Sequence, residues 1–99
     1  MVTYKGKILE DSIVFNKLGE YYKMKLETLS CNRTLTVHIP GKRTGGEHKF
    51  ILSLDEYNGI VISGCKEKIG STDYDKVIAE NVYLDVLNES EKISEKNQR

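Results

Sequence analysis

Apolar and polar residues alternate with a period of two along much of the chain, and side chains pointing alternately to opposite faces mark a strand with one wet face. In YKMKLETL, Tyr22, Met24 and Leu26 share one face while Lys23, Lys25 and Glu27 share the other. In RTLTVHI, Leu35, Val37 and Ile39 oppose Thr34, Thr36 and His38. The same rule reads KFILSL as a strand with Phe50, Leu52 and Leu54 on one face, IVISG as a strand around Ile60 and Ile62, and NVYLDVL as a strand around Val82, Leu84 and Val86. TYKGKIL and SIVFN complete the set. No sustained helical period appears. SLDEYN is long enough for a single turn, and GSTDYDKVIAEN for one turn capped by Ser71 or Asp73 before the last strand.

The punctuation suits hairpins. Asn58-Gly59 lies between two apolar runs, the strongest short-range signal for a type I′ turn, and Leu18-Gly19 and Ser30 to Asn32 are weaker turns. The pattern therefore predicts a mainly β fold, a small antiparallel barrel or sandwich of about six strands built from consecutive hairpins, with at most one or two short helical turns. Residues 1–88 form a single β domain in this reading. Residues 89–99, in a polar stretch with Ile93 as its apolar residue, are expected to be a frayed tail.

Composition narrows the class. Ninety-nine residues suffice for one modest core. Net charge is zero, so no long-range field draws the whole molecule to nucleic acid or to an anionic surface. The charge is uneven: residues 31–54 carry four cations and one anion, residues 55–99 six cations and ten anions. No apolar run reaches the roughly 18 to 20 residues that span a bilayer, and MVTYKGKILEDS lacks a signal-peptide core. A cytoplasmic chain is the expectation, with no membrane partner, with Cys31 and Cys65 as small buried hydrophobes, and with the sequons at Asn32 and Asn88 silent.

Tests for reactive chemistry return none. Zinc sites use tight ligand pairs, whereas Cys31, His38, His48 and Cys65 are dispersed. His38 also falls opposite the face that Cys31 shares with Leu35, Val37 and Ile39. No nucleophile elbow is present, and Asp55 and Glu56 read as solvated. No cofactor, no metal and no enzymatic activity are expected.

One stretch stands apart. PGKRTGGEHK, residues 40–49, holds the sole proline, three of eight glycines and one of two histidines. Pro40 ends a strand, and Gly45 and Gly46 free the backbone, so a flexible hairpin tip carrying Lys42, Arg43, His48 and Lys49 is expected. Glycine admits an anion close to backbone N–H groups and arginine offers a fork for its oxygens. The loop lacks the spacing of a nucleotide-binding P-loop, and the pattern places no helix after it. A solvated turn is the competing description. Six tyrosines and no tryptophan accompany it; Tyr21, Tyr57, Tyr74 and Tyr83 fall at strand ends or on outer faces, where a tyrosine stacks a base or anchors an interface.

NGIVISGCKEK and DKVIAENVYLDVL resemble the last two strands of OB-fold single-stranded-DNA-binding proteins. Gly59, Val61, Ser63 and Gly64 sit in the family's turn-glycine and Val-x-Val-x-Gly pattern, and Val77, Ala79 and Val82 in its Val-x-Ala-x-x-Val pattern. The chain departs from the family where Asn58-Gly59 leaves little room for the usual helix after the third strand, and the basic loop falls in that helix's place. The resemblance implies a groove with stacking aromatics and a phosphate path along Lys23, Lys25, Arg33, Lys42, Arg43 and Lys49.

The expected function is a binding module for single-stranded nucleic acid that uses Arg33, Lys42, Arg43, Gly45, Gly46, His48, Lys49, Tyr21, Tyr57 and Tyr83. The alternative is a small inhibitor from a virus or mobile element that binds a host protein or sequesters a nucleotide. The oligomeric state stays open, a homo-oligomer included.

Overall fold

The structure, a computed structural model, describes residues 1–29, 33–68 and 75–85. Cys31, Tyr74, Val86 and the expected tail at 89–99 lie outside the described residues. Among the described residues six strands form: β1 (Val2–Ile8), β2 (Val14–Asn16), β3 (Tyr21–Thr28), β4 (Thr34–Pro40), β5 (Ile60–Lys68) and β6 (Asp75–Leu84). One helix, α1 (Gly45–Leu52), and a 3-10 turn at Leu54–Glu56 lie between β4 and β5.

Neighbouring strands follow the order β1-β5-β6-β4-β3-β2, and β1 also pairs with β3. That extra pairing closes β1, β5, β6, β4 and β3 into a barrel and leaves β2 as an added strand on β3. The mainly β barrel is as the alternation predicts. Its connectivity is not the expected run of hairpins, because β4 lies parallel to β6 through Thr36, Val37 and His38 against Lys76, Val77 and Ile78.

Closure depends on β1 serving two partners. Val2 to Gly6 pair with β5, and Gly6 to Ile8 pair with β3. At the switch a Cβ on Gly6 would stand 2.1 Å from the Glu27 carbonyl oxygen, and one on Gly64, at the β5 bulge, 2.0 Å from that of Ile78. Both contacts are with backbone, so a side chain at either place forces strands apart.

The core fills from the inward positions that alternation marks. Tyr22, Met24 and Leu26 of β3, Leu35, Val37 and Ile39 of β4, Ile60 and Ile62 of β5, and Val77 and Ala79 of β6 are all buried in one cluster. Tyr57, expected on an outer face, is instead half-buried against this cluster, with its ring 6.1 Å from that of Phe50.

The segment around KFILSL is corrected. It is helix followed by a 3-10 turn, and the inward residue is Ile51, 6% exposed, while Leu52 is 40% exposed. A strand would bury Phe50, Leu52 and Leu54 together; the helix and the 3-10 turn after it bring His48, Ile51 and Leu54 inward at intervals of three. Ser53 ends it, donating its N–H to Lys49 and Phe50 and its hydroxyl to the Phe50 carbonyl at 2.9 Å. Asn58-Gly59 accordingly follows a 3-10 turn and does not join two strands of a hairpin. Cys65, expected to be buried, is exposed on β5.

Candidate functional site

The outer face of β3 and β4 brings together what the alternation left facing solvent. Register sets Lys23 opposite His38 and Lys25 opposite Thr36, and β6 adds Lys76 opposite Thr36. Tyr21 stacks on His38 with ring centroids 4.6 Å apart and planes 22° apart. The Tyr21 hydroxyl accepts a hydrogen bond from Asn16 Nδ2 at 3.2 Å, and Asn16 Oδ1 accepts one from the Gly19 N–H at 2.9 Å. One side chain thus ties the β2–β3 turn to the ring it orients. Lys25 Nζ donates to Thr36 Oγ1 at 2.9 Å, and Lys76 Nζ lies 4.0 Å from Glu67.

The electrostatics of this face show in His38. Its pKa is lowered, first by burial, then by the charges of Lys76 and Lys23, with Glu67 opposing them. Burial is the larger cause, and the two neighbouring ammonium groups add to it a positive contribution that Glu67 partly offsets. The face therefore offers two stacked rings with cations on both sides.

A second feature lies where β3 begins and β4 ends. Tyr22, fully buried, brings its hydroxyl within 2.7 Å of His48 Nδ1 on α1. Phe15 on β2 lies 4.7 Å from the Tyr22 ring and stands edge-on to His48 at 5.8 Å and 86°. Between β2 and α1 a cleft of about 520 Å³ is lined by Phe15, Lys17, Glu20, Lys42, His48 and Leu52.

The sequence-predicted residues divide among several surfaces. Tyr21 belongs to the stacked pair. Arg33 is exposed just before β4, its carbonyl accepting from the Thr28 N–H at 2.8 Å. PGKRTGGEHK is a loop leading into a helix, and its polar side chains part: Lys42 and His48 line the cleft just described, whereas Arg43 lines a crevice against β6 with Glu47, and Lys49 is exposed on α1. Gly45 starts the helix at φ +57°, and Gly46 has open space where a Cβ would stand. The loop is not one phosphate cradle. Tyr57 is taken up by the core, and Tyr83, 50% exposed, stands opposite Val61 in the β5–β6 pairing and outside the β3–β4 pairing that holds Tyr21.

His38, Lys76 and Asn16 are the functional candidates that sequence reasoning missed. His38 was legible as an outward residue on β4. Lys76 was not, because the β4–β6 parallel pairing that carries it to His38 joins strands far apart in sequence.

A closed barrel of five strands with its helix between the third and fourth is a small OB-like barrel, so the helix absent from the expected pattern is present and the basic loop supplies its first turn. No protein-family model matches the chain, and no curated protein or solved structure matches it.

Proposed function

We propose that this chain is a non-enzymatic module that binds single-stranded nucleic acid across the outer face of β3 and β4. The observation that carries the reading is the Tyr21–His38 stack with Lys23, Lys25 and Lys76 around it. Aromatic rings take base faces at about 1–3 kcal/mol per base, and ammonium groups take the phosphates between them. In OB-folds the second and third barrel strands form the oligonucleotide face, and here those strands are β3 and β4.

Anisotropy of a labelled oligothymidylate, measured against salt, tests this. Three phosphate contacts give a slope of about −2 in log affinity against log salt, roughly a twentyfold loss between 50 and 200 mM. The K23E/K76E double variant lowers affinity for all sequences alike, because phosphate contacts position the strand without reading bases. Undetectable binding at 50 mM salt overturns the reading.

A second reading rests on the hairpin tip. Leu18 between β2 and β3 is 100% exposed, with Val14 exposed nearby, and an apolar tip of this kind fits a small inhibitor, encoded by a virus or mobile element, that inserts into a host protein. Copurification of one stoichiometric protein, lost on Leu18→Ser, together with no oligonucleotide binding, favours it.

A further inference from the structure

We propose that the cleft between β2 and α1 is a subsite for one nucleoside 5′-monophosphate unit, either free or at the 5′ end of a strand. The proposal deepens the nucleic-acid reading and, for the strand end, rests on it. Phe15 and His48 stand at 86° to one another, so the cleft has two aromatic walls meeting at a corner, suited to a flat ring. Its volume of about 520 Å³ lies within the range of about 300–1,000 Å³ usual for small-ligand sites. Leu52 supplies further apolar lining.

The polar groups divide between base and phosphate. The Tyr22 hydroxyl, buried and 2.7 Å from Nδ1 of His48, can donate to that nitrogen, and in that tautomer Nε2 carries the hydrogen and donates to a base acceptor. Glu20 is an acceptor for the amino or imino hydrogens of a base edge. Its backbone sits at φ +50°, a conformation costing a non-glycine residue about 1–2 kcal/mol, and its carbonyl is held by the Gly41 N–H at 2.7 Å. Lys17 from the hairpin and Lys42 from the loop before α1 both line the cleft and bring positive charge to it. An aliphatic acid would use the lysines but leave Glu20 as a repulsive neighbour; a nucleotide uses both.

Position adds to chemistry. Glu20 directly precedes Tyr21, and Lys17 directly follows Asn16, whose amide holds the Tyr21 hydroxyl. The β2–β3 hairpin therefore carries residues of both features, Phe15 toward the cleft and Asn16 toward the stacked pair on the opposite face of β2.

The test compares decathymidylate with a 5′-phosphate against decathymidylate with a 5′-hydroxyl, with adenosine 5′-monophosphate titrated separately and followed by NMR at Phe15 and His48. Expected is several-fold tighter binding of the 5′-phosphorylated strand, a preference abolished in K17E/K42E and in Phe15→Ala, while K23E/K76E weakens both strands equally. Shifts at Phe15 and His48 with the mononucleotide, absent in K17E/K42E, support the subsite even if no strand binds, and then assign it to free nucleotide. Strand binding with no 5′-phosphate preference and no mononucleotide shifts overturns the subsite and leaves the strand face standing. No response to any of the three ligands overturns both.

Discussion

The hydroxyl of Tyr22, on a residue with no solvent exposure, meets His48 Nδ1 at 2.7 Å and so fastens α1 to the barrel wall. A buried hydroxyl without a partner costs free energy, and this bond is what lets a tyrosine occupy a core position otherwise given to residues such as Met24 and Leu26.

Tyr22→Phe removes the hydroxyl and leaves His48 at the half-exposed rim of the cleft, where water can replace the lost partner. The expected destabilisation is about 1 kcal/mol, read from urea unfolding with an unchanged slope. A loss several times larger would mean that the hydroxyl has a structural role beyond this bond.

Ile51 and Leu52 are adjacent apolar residues with opposite fates, one buried and one lining the outer cleft. Ile51→Ala should cost about 2–5 kcal/mol, as for other buried aliphatic truncations. Leu52→Ala should cost less than about 1 kcal/mol, as for exposed sites. The reverse order would restore the strand parity that the sequence pattern favours.

Much of the barrel is legible in the amino-acid pattern, because Met24, Leu26, Val37 and Ile39 obey a period of two that only a one-sided strand satisfies. The helix is not, since Phe50, Leu52 and Leu54 satisfy the strand period while His48, Ile51 and Leu54 satisfy the helical one, and a single turn or two of chain does not decide between them. Tertiary burial of Ile51 does. The site is half legible for a related reason: alternation puts Lys23, Lys25 and His38 outward, but their meeting with Lys76 requires the parallel pairing across the barrel, which leaves no local trace. Nor does composition separate Lys42 from Arg43, neighbours in sequence that serve different crevices.

The lowered pKa of His38 fixes two pH effects of opposite sign. In the free protein the unfolded chain takes up the proton more readily, so stability falls as pH drops below 6.5, the unperturbed histidine value, and stops falling below the folded pKa. A bound phosphate strand adds negative charge beside His38 and raises its pKa, so binding takes up a proton. Affinity for oligothymidylate should therefore increase at constant salt as pH falls through the window between the His38 pKa in the complex and its lowered value in the free protein, and His38→Gln should flatten that increase. An equal slope in the variant would place the titrating group elsewhere.

Amide chemical-shift mapping with decathymidylate at 50 mM salt tests the strand-binding face most directly. The prediction is a contiguous set of shifted resonances at Tyr21, Lys23, Lys25, Thr36, His38 and Lys76, with Tyr83 and Val61, paired between β5 and β6, unmoved. Shifts centred on Tyr83 and Val61, or no shifts at saturating oligonucleotide, would contradict it.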